Sequence, residues 1–152
     1  MKGLIIATMS MLMCGIILGQ DTTRIVSVTK LSCSQKYGLD IYEGEYVLSI
    51  VLRPDSLQFN TRKSQEMTKY AITKKTDSYI VANSSGNYCF YNIKKQQLYY
   101  IDYFFSRYTT AGYGSGYSEI KQNVLQMMEL LKGGATQKDV IKHLIDQAAY
   151  DF

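Results

Sequence analysis

The side chains best suited to nucleophilic chemistry after Gly19 are two cysteines, Cys33 and Cys89, and the single histidine, His143. A Cys/His enzyme needs the imidazole within hydrogen-bond reach of the thiol whose proton it takes. On a helical pattern, however, His143 falls with Thr136, Asp139 and Asp146, on the side away from Val140, Leu144 and Ala148, which is a solvated position. An even pair of cysteines in an exported chain reads first as a disulfide. A Cys33 to Cys89 bridge would close a long loop and stabilise the fold by roughly 4 kcal/mol on the loop-entropy model.

A second constellation is the stretch TTAGYGSGYSEI, residues 109–120, which sets Gly112, Gly114 and Gly116 at alternate positions just before a helical pattern. Phosphate loops use glycines so that backbone N–H groups can close on the anion at a helix N-terminus. Here the spacing is G-x-G-x-G, no βαβ unit contains it, and no Gly-Lys-Ser/Thr follows. The stretch reads instead as a strand-to-helix connection. Tyrosines on a glycine frame are the mixture used at recognition surfaces. The expected binding loop therefore comprises Tyr108, Tyr113, Gly114, Gly116 and Tyr117.

Other chemistries find less support. One histidine, no C-x-x-C and no H-E-x-x-H give no reason to expect a metal or a cofactor. Asp40, Glu43 and Glu45 cluster in GLDIYEGEY, but glycosidase chemistry needs two carboxylates facing each other across a bond, and an acidic turn accounts for these three. Asp102 lies among Tyr100, Ile101, Tyr103 and Phe104, so if buried it needs a partner such as Arg53 or Arg107.

Lys plus Arg number 17 against 13 Asp plus Glu, a net charge of +4, and the basic residues are scattered apart from the pairs at 74–75 and 94–95. That balance gives no footprint for nucleic acid. The outlier is tyrosine: 14 residues, beside five phenylalanines and no tryptophan. Tyrosine suits both half-buried strand faces and recognition surfaces.

The chain opens MKGLIIATMSMLMCGIILGQDTT, a lysine followed by an uncharged apolar run from Leu4 to Leu18. The run is too short for a spanning helix, which needs about 20 apolar residues. It has the layout of a cleaved secretory signal over residues 1–19, leaving residues 20–152 as one domain, secreted or periplasmic, with no transmembrane segment. Met11 and Met13 do not fit a lipobox around Cys14.

The elements that would position these groups follow from periodicity. Between Arg24 and Arg107, short segments rich in Val, Ile, Thr and Tyr read as strands at Arg24–Leu31, Glu45–Leu52, Met67–Lys74, Ser78–Asn83, Tyr88–Ile93 and Leu98–Arg107. The last three form a β-meander, turning at Ser-Ser-Gly-Asn and at Lys-Lys-Gln-Gln. Both faces of the final strand are aromatic, as in a covered central strand.

After the glycines, Ile120, Val124, Met127, Met128 and Leu131 mark one face of a helix over Ser118–Lys132, which Gly133 and Gly134 stop. Thr136 and Asp139 then open a second helix as a capping box with the shorter acid. The expected architecture is α+β: a mostly antiparallel meander sheet of about five to seven strands, open or curled, followed by a C-terminal helical hairpin.

The function that fits best is an exported, non-enzymatic interaction protein, an inhibitor, immunity-like or envelope-associated binder whose partner is another protein. The alternatives are a carrier of a small hydrophobic ligand inside a barrel-like sheet and, behind it, a Cys/His enzyme.

Overall fold

The computed structural model of the protein describes residues 21–25, 29–42, 48–60 and 67–150. The expected signal segment and the acids Glu43 and Glu45 lie outside the described residues. The strands are β1 (Asp21–Ile25), β2 (Thr29–Ser34), β3 (Gly38–Tyr42), β4 (Leu48–Leu52), β5 (Ser56–Phe59), β6 (Thr68–Lys75), β7 (Tyr79–Ser84), β8 (Asn87–Asn92), β9 (Gln97–Phe104) and β10 (Arg107–Gly114). Two helices follow, α1 (Tyr117–Lys132) and α2 (Gln137–Tyr150).

All strand pairs are antiparallel and belong to one sheet, in the order β1-β4-β5-β6-β7-β8-β9-β10-β2-β3. The α+β architecture matches expectation, but the sheet has ten strands where about five to seven were expected. The excess has local causes. The segment at Arg24–Leu31 divides into β1 and β2, which lie far apart in the sheet order. β3 and β5 have five and four residues, too few to display alternation. β10 was hidden because threonine and glycine weaken its apolar signal.

The sheet is rolled. Four inter-strand spacings separate β5 from β9, about 19 Å if the sheet were flat. Yet the rings of Phe59 on β5 and Tyr100 on β9 have centroids 6.0 Å apart. Chain connectivity makes the same demand at the edges. Ile25 ends β1 and Thr29 begins β2, so four Cα steps, at most about 14 Å, must link strands that a flat sheet would hold about 38 Å apart. The result is a half-barrel with β1 and β3 as its edges among the described residues.

Strand parity sorts the core into two layers. Inside the roll lie Ile50, Leu57, Phe59, Tyr70, Ile80, Cys89, Tyr91, Leu98, Tyr100, Ala111 and Tyr113. Outside it, Leu31, Cys33, Val81, Phe90, Tyr99 and Ile101 pack beneath the apolar faces of the helices. α1 lies over β10 and β2, and α2 over β8 and β7.

The expected capping box is present at the start of α2. Asp139 Oδ2 accepts from the Thr136 N–H and hydroxyl, both at 2.9 Å, and Thr136 Oγ1 accepts from the Asp139 N–H at 3.2 Å. These bonds from Thr136 hold the Asp139 carboxyl below the usual carboxylate range.

Candidate functional site

The five residues of the expected binding loop do not form a loop. Tyr108, Tyr113 and Gly114 belong to β10, and Gly116 precedes the first turn of α1. Tyr113 is fully buried inside the roll, its ring stacked on Tyr100 at 5.8 Å and its hydroxyl 3.3 Å from that of Tyr100. Gly114 is buried, Tyr108 is half-buried, and Tyr117 is the one of the three tyrosines that is exposed.

The alternating glycines have structural reasons. A Cβ on Gly112 would stand 2.7 Å from Ile120 Cγ2 and 2.9 Å from Val124 Cγ2, so its absence lets α1 rest on β10. Gly116 has φ 89° and turns the chain into the helix. The first turn of α1 supplies its own anion, since the Glu119 carboxylate accepts from Gln97 Nε2 at 3.2 Å and pairs with Lys95. That arrangement leaves the dipole-favoured position to a side chain of the protein itself.

The expected disulfide is absent: Cys33 and Cys89 are both free and buried. Cys33 lies on the helix-covered face and Cys89 inside the roll. Three strand spacings, about 14 Å along the sheet, also separate β2 from β8, whereas a bridge needs Cα atoms within about 7 Å. Burial pushes both thiols up, most strongly at Cys89, so neither is a ready thiolate. Cys89 is separated by the sheet from the helix that bears His143. His143 itself is half-buried, with its Nε2 enclosed and without a hydrogen-bond partner among the described residues, where a solvated side chain was expected.

Of the acidic candidates, Asp40 is exposed on β3, and Asp102 is half-buried beside a cleft of ≈ 400 Å³ that Asn87, Tyr103, Phe104 and Thr109 also line. Among the described residues, no three His, Cys, Asp or Glu side chains come together as a metal-binding group. No described helix is long and apolar enough to cross a membrane.

A different surface stands out. Three large rings are widely exposed at one end of the sheet: Tyr37 at 80%, Phe104 at 71% and Phe105 at 84%. Tyr37 sits in the turn between β2 and β3, and the two phenylalanines at the turn between β9 and β10. Pairing of β2 with β10 makes these hairpins neighbours. The Gln35 N–H donates to the Tyr108 carbonyl at 3.0 Å, and the Tyr108 N–H donates to Gln35 Oε1 at 3.2 Å, which ties one tip to the other.

Phe104 pairs with Arg107, leaving Phe105 and Ser106 as a two-residue turn with φ of 50° and 62°. Such turns favour Asn-Gly, because both central residues are left-handed, and a bulky residue there is an outlier. The turn therefore holds an aromatic ring at the apex in an unfavourable backbone conformation. Lys36 lies 4.9 Å over the Tyr37 ring, and behind the apex the rings of Tyr103 and Tyr108 pair at 4.7 Å. A cleft of ≈ 330 Å³ runs between the tips, lined by Lys36, Tyr37, Phe104, Phe105 and Arg107 among others, none of them acidic.

The sequence contained a sign of this surface in YYIDYFFSRY, where two adjacent phenylalanines occupy the point at which the chain must turn without Gly, Asn or Pro. Comparisons with protein-family models, curated proteins and solved structures return no match.

Proposed function

We propose that the protein is an exported, non-enzymatic interaction protein of the envelope-associated kind, and that it attaches through the paired β2–β3 and β9–β10 hairpin tips. The observation that carries this reading is the exposed cluster of Tyr37, Phe104 and Phe105, held in place by a turn whose backbone disfavours phenylalanine. Exposed apolar patches rimmed by polar groups mark interaction sites, and strain that persists at a surface position points to a role for the residue that causes it. Export is supported by the signal-like run before Gly19, and a binding role is favoured over a thiol enzyme by the burial of both thiols.

The test is fractionation of cells that export the full chain, comparing the native protein with the double variant Phe104→Ser/Phe105→Ser after gentle osmotic release. The native protein should stay with the envelope fraction and the variant should be released, with both unfolding at the same temperature. Equal partition of the two proteins would remove the tips as the attachment surface.

A further inference from the structure

Resting on the reading of the tips as the attachment surface, we infer that what they meet is an anionic lipid bilayer, with Phe104, Phe105 and Tyr37 entering the interface and Lys36 and Arg107 meeting lipid phosphates. The vertical order of the chemistry is the first argument. Phe105 occupies the apex, the Phe104–Arg107 pair stands directly beneath it with Tyr37 and Lys36 on the neighbouring tip, and the Tyr103–Tyr108 ring pair lies behind. Acyl chain, phosphate and headgroup water follow one another in the same order, and amphipathic rings favour the headgroup level.

The second argument concerns the backbone. Entry into the interface is costly for unpaired N–H and C=O groups. A hairpin whose last pair is Phe104–Arg107 closes with two turn residues, so it presents little free backbone and a single polar side chain there, Ser106.

Charge complementarity supplies the third. Lys36 and Arg107 are the charged side chains of the cleft between the tips, both cationic. Of the nearest carboxylates, Asp102 on β9 is half-buried on the inner face, and Asp40 on β3 is exposed but stands behind the Ser34–Gly38 pair that closes its tip, outside the cleft. Anionic headgroups attract such cations within a Debye length of the surface. The hydrogen bonds joining Gln35 to Tyr108 let both tips enter as one body, so little ordering is required on contact.

The chain has no tryptophan, so Phe105→Trp introduces a unique fluorescent reporter at the apex. Purified mature protein would be sedimented with vesicles of phosphatidylcholine alone and of phosphatidylcholine with phosphatidylglycerol. Binding should require phosphatidylglycerol and weaken with salt, and the indole emission of the Phe105→Trp reporter should shift to the blue on those vesicles. Phe104→Ser/Phe105→Ser should lower the partition coefficient by at least about tenfold. Lys36→Gln and Arg107→Gln should each lower it about fivefold. Phe105→Asn/Ser106→Gly, which supplies ordinary turn residues, should also lose binding while unfolding no earlier than the native protein.

Equal binding to both vesicle types would overturn the anionic specificity, and binding that survives loss of both phenylalanines would overturn the docking geometry. No vesicle binding, combined with tip-dependent retention in the envelope fraction, would overturn the lipid surface in favour of a protein partner and leave the tips as the attachment site. No vesicle binding and no tip dependence in cells would remove both readings.

Discussion

Gly112 shows how much one missing methyl decides. Its absent Cβ is the space into which Ile120 and Val124 of α1 settle, and Tyr99 Cε1 lies 3.0 Å from the same point. Gly112→Ala should therefore cost about 1–3 kcal/mol, seen as a lower denaturant midpoint with an unchanged slope. The two thiols give a complementary prediction. With Cys33 and Cys89 buried and their ionisation suppressed, both should resist alkylation at neutral pH in the native protein, and both should be labelled in the unfolded protein without any reductant. A non-reducing peptide mass map that finds the pair bonded would contradict the two-layer core. The residue types were legible in the sequence, but their partners were not. Whether Cys33 and Cys89 face each other depends on strand parity and on the number of strands between them, and neither number is a local property of the chain.

At the scale of elements, legibility tracked periodicity. α1 was readable within a residue, and the start of α2 likewise, because their apolar stripes repeat over several turns and the junction carries Gly133, Gly134 and the Thr136–Asp139 box. The β7–β8–β9 meander was readable because Ser85 and Gly86 supply the left-handed turn residues such hairpins prefer. β10 was not, since its glycines serve helix packing and resembled a flexible connection. The β9–β10 turn was missed for the opposite reason, because Phe104 and Phe105 read as a continuing strand and no Gly, Asn or Pro marks the bend. That mismatch is measurable. Phe105→Asn/Ser106→Gly should stabilise the hairpin by about 1–3 kcal/mol, since Asn and Gly tolerate the left-handed conformation that Phe105 and Ser106 adopt at a cost. A thermal scan showing the double variant no more stable than the native protein would indicate that the turn carries no strain.

At the scale of the whole molecule, the roll brings together groups that a flat sheet would separate, and their titration reports on it. Tyr70 on β6 is pushed above its ordinary value by burial and then by the Asp102 carboxylate on β9. A group raised in the folded state contributes stability that is complete below its unfolded value, about 10 for tyrosine, and that is lost as the pH climbs beyond it. The protein should accordingly weaken in alkali. Tyr70→Phe, which has no proton to lose, should flatten that decline in a stability profile above pH of about 10, and an unchanged slope would place Tyr70 in a wetter site.

The edge order of the half-barrel carries a further consequence. β2 is among the earliest strands in the chain, yet its ladder runs from Thr29 opposite Gly114 to Ser34 opposite Thr109. In a chain made N-terminus first, as the ribosome delivers it, that strand emerges long before its partner and has only β3 with which to pair. Sheet completion is then a late event, set by the arrival of β10 and not by the length already delivered. Until that moment one edge of β2 lacks its ladder, and a chaperone that binds extended segments would find its target there.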